Sequence, residues 1–413
     1  MKKYITLIST LLWVCTLGFL LTGCDSLKEA EAEETDARPA VCFVIGATAN
    51  AQAPNFNSPL VQDTILDCAK KYGFVAIVNA DGDSEIVAAE SLDIDDKYKQ
   101  ASEERLEMDA RNKADSVIQF MSKVRADDPE VDYLEALRLA CRTLNSLEGY
   151  HSKTIIVLGT GLSPKGYMNY CNNLMSADSD TIADLLEEKK AIPDFSAITG
   201  VYWQGMGDVA APQKDLTPAQ NSKLYDDWKA VIERGGSELI SNQFPSSPVN
   251  ESGEYPSVTV VDLPDETPVE FEADSLTGNQ GDVFDKPVML TEEQVMFVPD
   301  QAVYLHPEEA AEILAPIASY IAEHEEMTLL LAGTTAGDED SVYTARLSQE
   351  RAETVKHTLV DLGVKEEKLY TVGLGSSNPW HIKGAGYEGD LAAQNRKVVL
   401  IDASTELAQE LMN

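Results

Sequence analysis

The chain has 413 residues, 44% of them hydrophobic and 25% charged, a globular composition with enough length for two or three domains. Asp and Glu total 70 against 32 Lys and Arg, a formal net charge of -38. That excess repels phosphate backbones and anionic headgroups, so neither nucleic-acid binding nor a polybasic membrane contact fits it.

Residues 1–23 read as an export leader. Lys2 and Lys3 precede a mostly apolar run from Ile5 to Leu21, short for a membrane span of about 20 apolar residues. The run ends in Leu21-Thr22-Gly23-Cys24, which resembles the lipobox of bacterial lipoproteins. The resemblance implies lipidation of Cys24 and cleavage before it; an ordinary secretory leader is the other reading. Two or three acyl chains would anchor stably where one is marginal. Asp25 resembles an inner-membrane retention signal of double-membrane bacteria. Residues 24–38 read as an acidic tether with Glu29, Glu31, Glu33 and Glu34, and its stretch from Ser26 to Arg38 would extend about 45 Å at ~3.3 Å per residue.

Residues 39–240 read as an α/β domain. Ala40 to Gly46 is a continuous apolar run of the kind buried on both faces of a parallel sheet. Ser58-Pro59 opens a helix, Gly73 to Ala80 is a second strand, and Leu106 to Val124 and Leu134 to Leu144 carry helical stripes. Thr154 to Leu158 and Ile198 to Trp203 add strands, and Tyr225, Trp228 and Ile232 mark a closing helix stopped at Gly235-Gly236. Alternating strands and helices predict a doubly wound, mostly parallel sheet.

The order of these elements resembles the von Willebrand factor A-like fold. That family holds a divalent cation with Asp-x-Ser-x-Ser and a later Thr and Asp. The corresponding positions here are Gly46, Thr48, Asn50 and Thr160, so both acidic ligands are missing and no metal is expected. Thr48, Asn50 and Thr160 would still line a polar cleft. Gly159, Gly161 and Gly166 do not make a dinucleotide fingerprint, and no Walker lysine is present. Cys42, Cys68, Cys141 and Cys171 lack zinc or thioredoxin spacing. They read as buried free thiols, with one disulfide as the alternative.

Residues 241–290 have the composition of a Pro/Gly/acidic linker, long enough for the flanking domains to move independently. Val258 to Asp262 interrupts it as a candidate strand.

Residues 291–404 carry Gly333-Thr334-Thr335-Ala336, Leu347-Ser348-Gln349-Glu350-Arg351-Ala352, Gly373 to Pro379 and Asn395-Arg396-Lys397-Val398. Four motifs in this order resemble the OmpA-like peptidoglycan-associating domain, an α+β fold, with residues 405–413 as a tail. Pro316 lies within the first predicted helix and should kink it or remove one backbone bond. The resemblance implies a grip on the diaminopimelate of peptidoglycan, Asp taking the ammonium and Arg a carboxylate. Arg351 is in place, but the Asp position is Ala336 and the usual Asn is Thr344. Asp338 or Asp340 in the same loop would substitute, and Thr335 and Arg396 complete the candidate peptidoglycan-binding set.

No catalytic residues are expected. His151, His306, His324, His357 and His381 are scattered, and no nucleophile elbow stands out. No cofactor is implied. The expected protein is a non-catalytic, exported, lipid-anchored envelope protein facing the periplasm or cell wall. Its partners would be a membrane, peptidoglycan and a protein at the A-like domain. The alternative is a ligand- or protein-binding signalling lipoprotein whose C-terminal domain no longer binds peptidoglycan.

Overall fold

The computed structural model describes residues 38–242, 246, 255–264, 268–277 and 283–413. The leader, Cys24 and all of the tether but Arg38 lie outside the described residues. Arg38–Asn413 forms one compact unit built on two sheets.

The first sheet contains β1 (Arg38–Ile45), β2 (Phe74–Asn79), β3 (Glu85–Ser91), β4 (Tyr150–Leu158), β5 (Gly200–Gln204) and β6 (Leu239–Asn242), in the order β3-β2-β1-β4-β5-β6. All neighbours are parallel except β3, which runs antiparallel to β2. The strands are apolar throughout because both faces are covered. On β1, Cys42 and Val44 enter one core while Val41, Phe43 and Ile45 enter the other. The helices α1 (Pro59–Lys70) and α2 (Glu103–Met121) cover the second of these faces. The first is covered by α3 (Tyr133–Asn145), α4 (Ser179–Glu188) and α5 (Pro218–Arg234). Each of the five except α2 starts at a side chain that accepts a backbone N–H, such as Asp132 from Glu135 at 3.0 Å. Within the larger core the Trp203 and Trp228 rings meet at a tilt, 4.9 Å between centres, their indole N–H groups donating to Gly159 O and Gly161 O.

The β3 strand was not expected, because Glu85, Glu90 and Ser91 leave its apolar residues without a buried alternating face. Val258 to Asp262 is no strand. It lies against the first domain, where Val261 is buried and exchanges hydrogen bonds with Gln213 through its N–H and C=O.

The second sheet draws β7 (Val269–Glu270) and β8 (Val288–Leu290) from the expected linker, followed by β9 (Leu329–Thr334), β10 (Leu369–Gly375) and β11 (Val398–Asp402). Its order is β10-β9-β11-β8-β7. The C-terminal domain therefore begins before residue 291, and the described linker residues are divided between the two domains rather than free of both. Phe271 and Phe284 explain the division, since both are buried in the second domain's core. One face of the sheet carries α6 (Pro307–Glu323), continuous across Pro316, and α7 (Val342–Asp361). After the short α8 (Asp390–Gln394), the expected tail forms α9 (Glu406–Met412), whose Leu407, Ala408 and Leu411 pack on the opposite face with Trp380.

Two glycines set the distance between α7 and the sheet. A Cβ on Gly333 would collide with the backbone carbonyl of Ser348, and one on Gly373 with that of Ala345. Backbone cannot rotate away as a side chain can. Gly333→Ala should therefore destabilise the C-terminal domain by about 2 kcal/mol or more, read as a lowered urea midpoint with an unchanged slope.

Candidate functional site

The α7 helix is fixed at its start by a capping box in which Ser341 and Thr344 bond each other's backbone N–H. Thr344 is thereby committed to the helix terminus. One turn later Ser348 and Arg351 share the buried face. The Arg351 Nε donates to Gln301 O at 3.1 Å, and its guanidinium lies 5.0 Å from the centre of the Phe297 ring. Phe297 stacks on Tyr304 at 5.0 Å, and Thr354 Oγ1 donates to Ala302 O at 2.8 Å, so the 297–304 loop is held on α7.

Arg351 is only 7% exposed, yet among the described residues no carboxylate pairs with it. Burial works against its charge and holds its pKa below the ordinary value, with Glu292 and Asp300 acting the other way. Glu292 is itself forked by Arg396, Nε to Oε1 and a terminal nitrogen to Oε2, both at 2.7 Å. Arg351, Arg396, Glu292, Phe297 and Thr334 line a cleft of about 20 Å³, room for about one water.

The acids expected to replace the missing aspartate are elsewhere engaged or solvated. Asp338 accepts from His381 Nε2 at 3.1 Å and from Gly384 N at 3.0 Å, and it forms no ion pair with Arg351 among the described residues. Asp340 is exposed. Ala336 is buried, and Gly337, at φ 85°, donates its N–H to Gly386 O beneath the Tyr387 ring. Thr335 N–H bonds Gly375 O, while its buried Oγ1 has no partner among the described residues. The structure thus brings Arg351 and Arg396 together, commits Asp338 and Thr344 to other partners, and leaves Asp340 exposed. Glu292 and Asp300 are the acids sequence reading missed. Glu292 stands 104 residues before Arg396, and no local pattern signals such a pairing.

In the first domain, Thr48, Asn50 and Thr160 follow β1 and β4 at the point where strand order reverses. They are 1%, 5% and 4% exposed. Thr48 Oγ1 donates to Asn50 Oδ1 at 3.2 Å, and Thr160 N–H to Tyr133 Oη at 3.0 Å. The 205–213 loop closes over them, with Gly207 N donating to Thr160 O and Ala210 N to Asn50 O. Cys42, Cys68 and Cys141 are buried thiols and Cys171 is half-buried; burial pushes the Cys68 thiol up to about 12. Among the described residues no three His, Cys, Asp or Glu side chains gather into a metal-holding group, and no helix is long and apolar enough to cross a membrane.

The two domains are in contact, contrary to the independent motion expected of the linker. Asn173 Nδ2 donates to Pro379 O and His381 O at 2.9 and 3.0 Å, and Lys383 N to Asn172 O at 2.8 Å. Gln394 accepts from Asp178 N at 2.7 Å and donates to Thr181 Oγ1 at 3.0 Å. Ile382 is fully buried in the first domain's larger core.

Compared with known proteins, residues 296–387 match the OmpA family. No curated protein matches the chain. Among solved structures, the peptidoglycan-associated lipoprotein from Burkholderia pseudomallei is 30% identical over 26% of this chain and 86% of its own, with a TM-score of 0.23. The OmpA-like domain of FopA1 from Francisella tularensis is 20% identical over 29% and 75%, with a TM-score of 0.24. A periplasmic domain of Helicobacter pylori MotB is 17% identical over 30% and 87%, with a TM-score of 0.24. The C-terminal domain of this chain, through residues 296–387, is an OmpA-family domain.

Proposed function

We propose that this chain is a non-catalytic, exported lipoprotein, anchored by acyl chains on Cys24 and linking a membrane to peptidoglycan through its OmpA-family domain. The first domain, read as A-like on its doubly wound sheet, serves as a protein-interaction module. The observation that carries the wall-binding part is Arg351: a buried guanidinium whose terminal nitrogens meet no carboxylate among the described residues. Such a group is unfavourable until an anion arrives. Glu292 is held by Arg396, which leaves Asp300, the other acid that acts on Arg351, as the second pole for a zwitterionic ligand.

Retention on purified sacculi tests this. The compact chain from Arg38 to Asn413 should sediment with sacculi. Arg351→Ala should weaken that binding about ten- to a hundredfold, the worth of one charge-assisted hydrogen bond. No sedimentation of the unmodified chain removes the wall-binding reading.

The cleft volume of about 20 Å³ favours a second reading, in which the OmpA-family domain has kept its shape and exchanged its ligand, and the lipoprotein binds a signalling molecule or protein. Muropeptides that leave the melting temperature unmoved, with another ligand class raising it, would favour this reading.

A further inference from the structure

The contact between the domains does not end at their boundary. Asn173 sits at a left-handed backbone position, φ 62°, between two short 3-10 turns, and its amide holds the carbonyls of Pro379 and His381. Between these and Lys383, Ile382 is buried in the first domain. The same loop is gripped from the C-terminal side, where Asn395 exchanges two hydrogen bonds with the Ile382 backbone at 2.8 and 2.9 Å. Its far end ties down the turn that follows β9. His381 Nε2 and Gly384 N bond the Asp338 carboxylate, and Gly386 O accepts from Gly337 N at 2.9 Å. An unbroken series of hydrogen bonds therefore runs from Asn173 through the 379–386 loop to Asp338.

We propose that the first domain is a latch on the turn at 335–340: docking through Asn173 and Gln394 fixes the 379–386 loop, and that loop keeps Asp338 turned from Arg351. Asp338 is about half exposed, and among the described residues the hydrogen bonds to its carboxylate come from this loop. Arg351 sits on the adjoining helix with Glu292 and Asp300 as its acidic neighbours. Undocking frees Asp338, which follows the cleft-lining Thr334 by four residues, and an event on the first domain is thereby transmitted to the second by a change of partner at His381.

Hydrogen exchange on the Arg38–Asn413 chain tests the latch with two variants. Asn173→Ala with Gln394→Ala opens the contact; His381→Ala removes the loop's one side-chain bond to Asp338 while leaving the contact residues in place. Both should speed exchange of the 335–340 amides at least tenfold, whereas only the first should speed exchange across 170–181. The amides of β9 should keep their wild-type rates, since they measure the folded sheet. If the double variant also loosens β9, Asn173→Ala alone is read in its place. Unchanged exchange at 335–340 in either variant overturns the proposal, and so does an unchanged 170–181 segment after the contact residues are removed.

Discussion

Asp227→Ala should lower the stability of the chain by about 3–5 kcal/mol at neutral pH, the loss expected when one member of a buried ionic network is removed. Asp227 lies on α5 and is fully buried. Its Oδ1 accepts from Ser179 Oγ at 2.7 Å and from the Lys223 ammonium, and its Oδ2 from Tyr170 Oη at 3.3 Å. Tyr170 and Ser179 bracket the segment on which the C-terminal domain docks, so alanine leaves that platform with an orphaned phenol and an unpaired ammonium. Burial pushes the carboxyl up to about 6, against the pull of Lys223. With an ordinary carboxyl near 3.8 in the unfolded chain, the native state holds the extra proton between about pH 4 and 6. Its contribution to stability therefore falls as pH rises through that window, by about 3 kcal/mol for two units. Asp227→Asn keeps hydrogen-bonding capacity and cannot ionise. Its stability relative to wild type should rise from pH 4 to 6, and urea midpoints at those two values decide it.

Much of the fold was legible because its strands are buried on both faces and announce themselves as unbroken apolar runs. Cys42 to Ile45 and Thr154 to Leu158 both read this way and pair in register. The missed elements lack such a signal. The β3 strand has one partner and two charged residues, and β7 is two residues long. The linker was misread because composition records prolines and acids but not the isolated anchors Val261, Phe271 and Phe284, each of which docks its own stretch. At the site, Arg351 was legible from its motif. Its acidic neighbours were not, since Glu292 reaches the cleft from the turn after β8 and Asp300 lies in the 297–304 loop. Asp338 lies in the loop after β9, and its engagement by His381, 43 residues on, is beyond any local pattern.

Lys397→Met should raise the stability of the C-terminal domain by about 3 kcal/mol at pH 7. Lys397 precedes β11 and is 6% exposed, packed by Trp380. Its ammonium has one long hydrogen bond, 3.4 Å to Trp380 O, and no carboxylate among the described residues. An ammonium has three donors to satisfy, and burial pulls its pKa down to about 8 from 10.5. Below pH 8 both folded and unfolded chains carry this charge, and the folded chain bears the full cost of burying it. Between pH 8 and 10.5 the native state sheds the proton first, so wild-type stability should rise with pH there. Methionine fills a similar volume without a charge. Its advantage should be complete at pH 7, shrink from pH 8, and vanish by about pH 10.5, where neither state is charged. Lys365 is exposed, so Lys365→Met supplies the same change in net charge without relief of burial and should show no such trend. An advantage for Lys397→Met that is constant across pH 7 to 10.5 would mean that the lysine finds water in the folded protein. The gain would then come from packing alone.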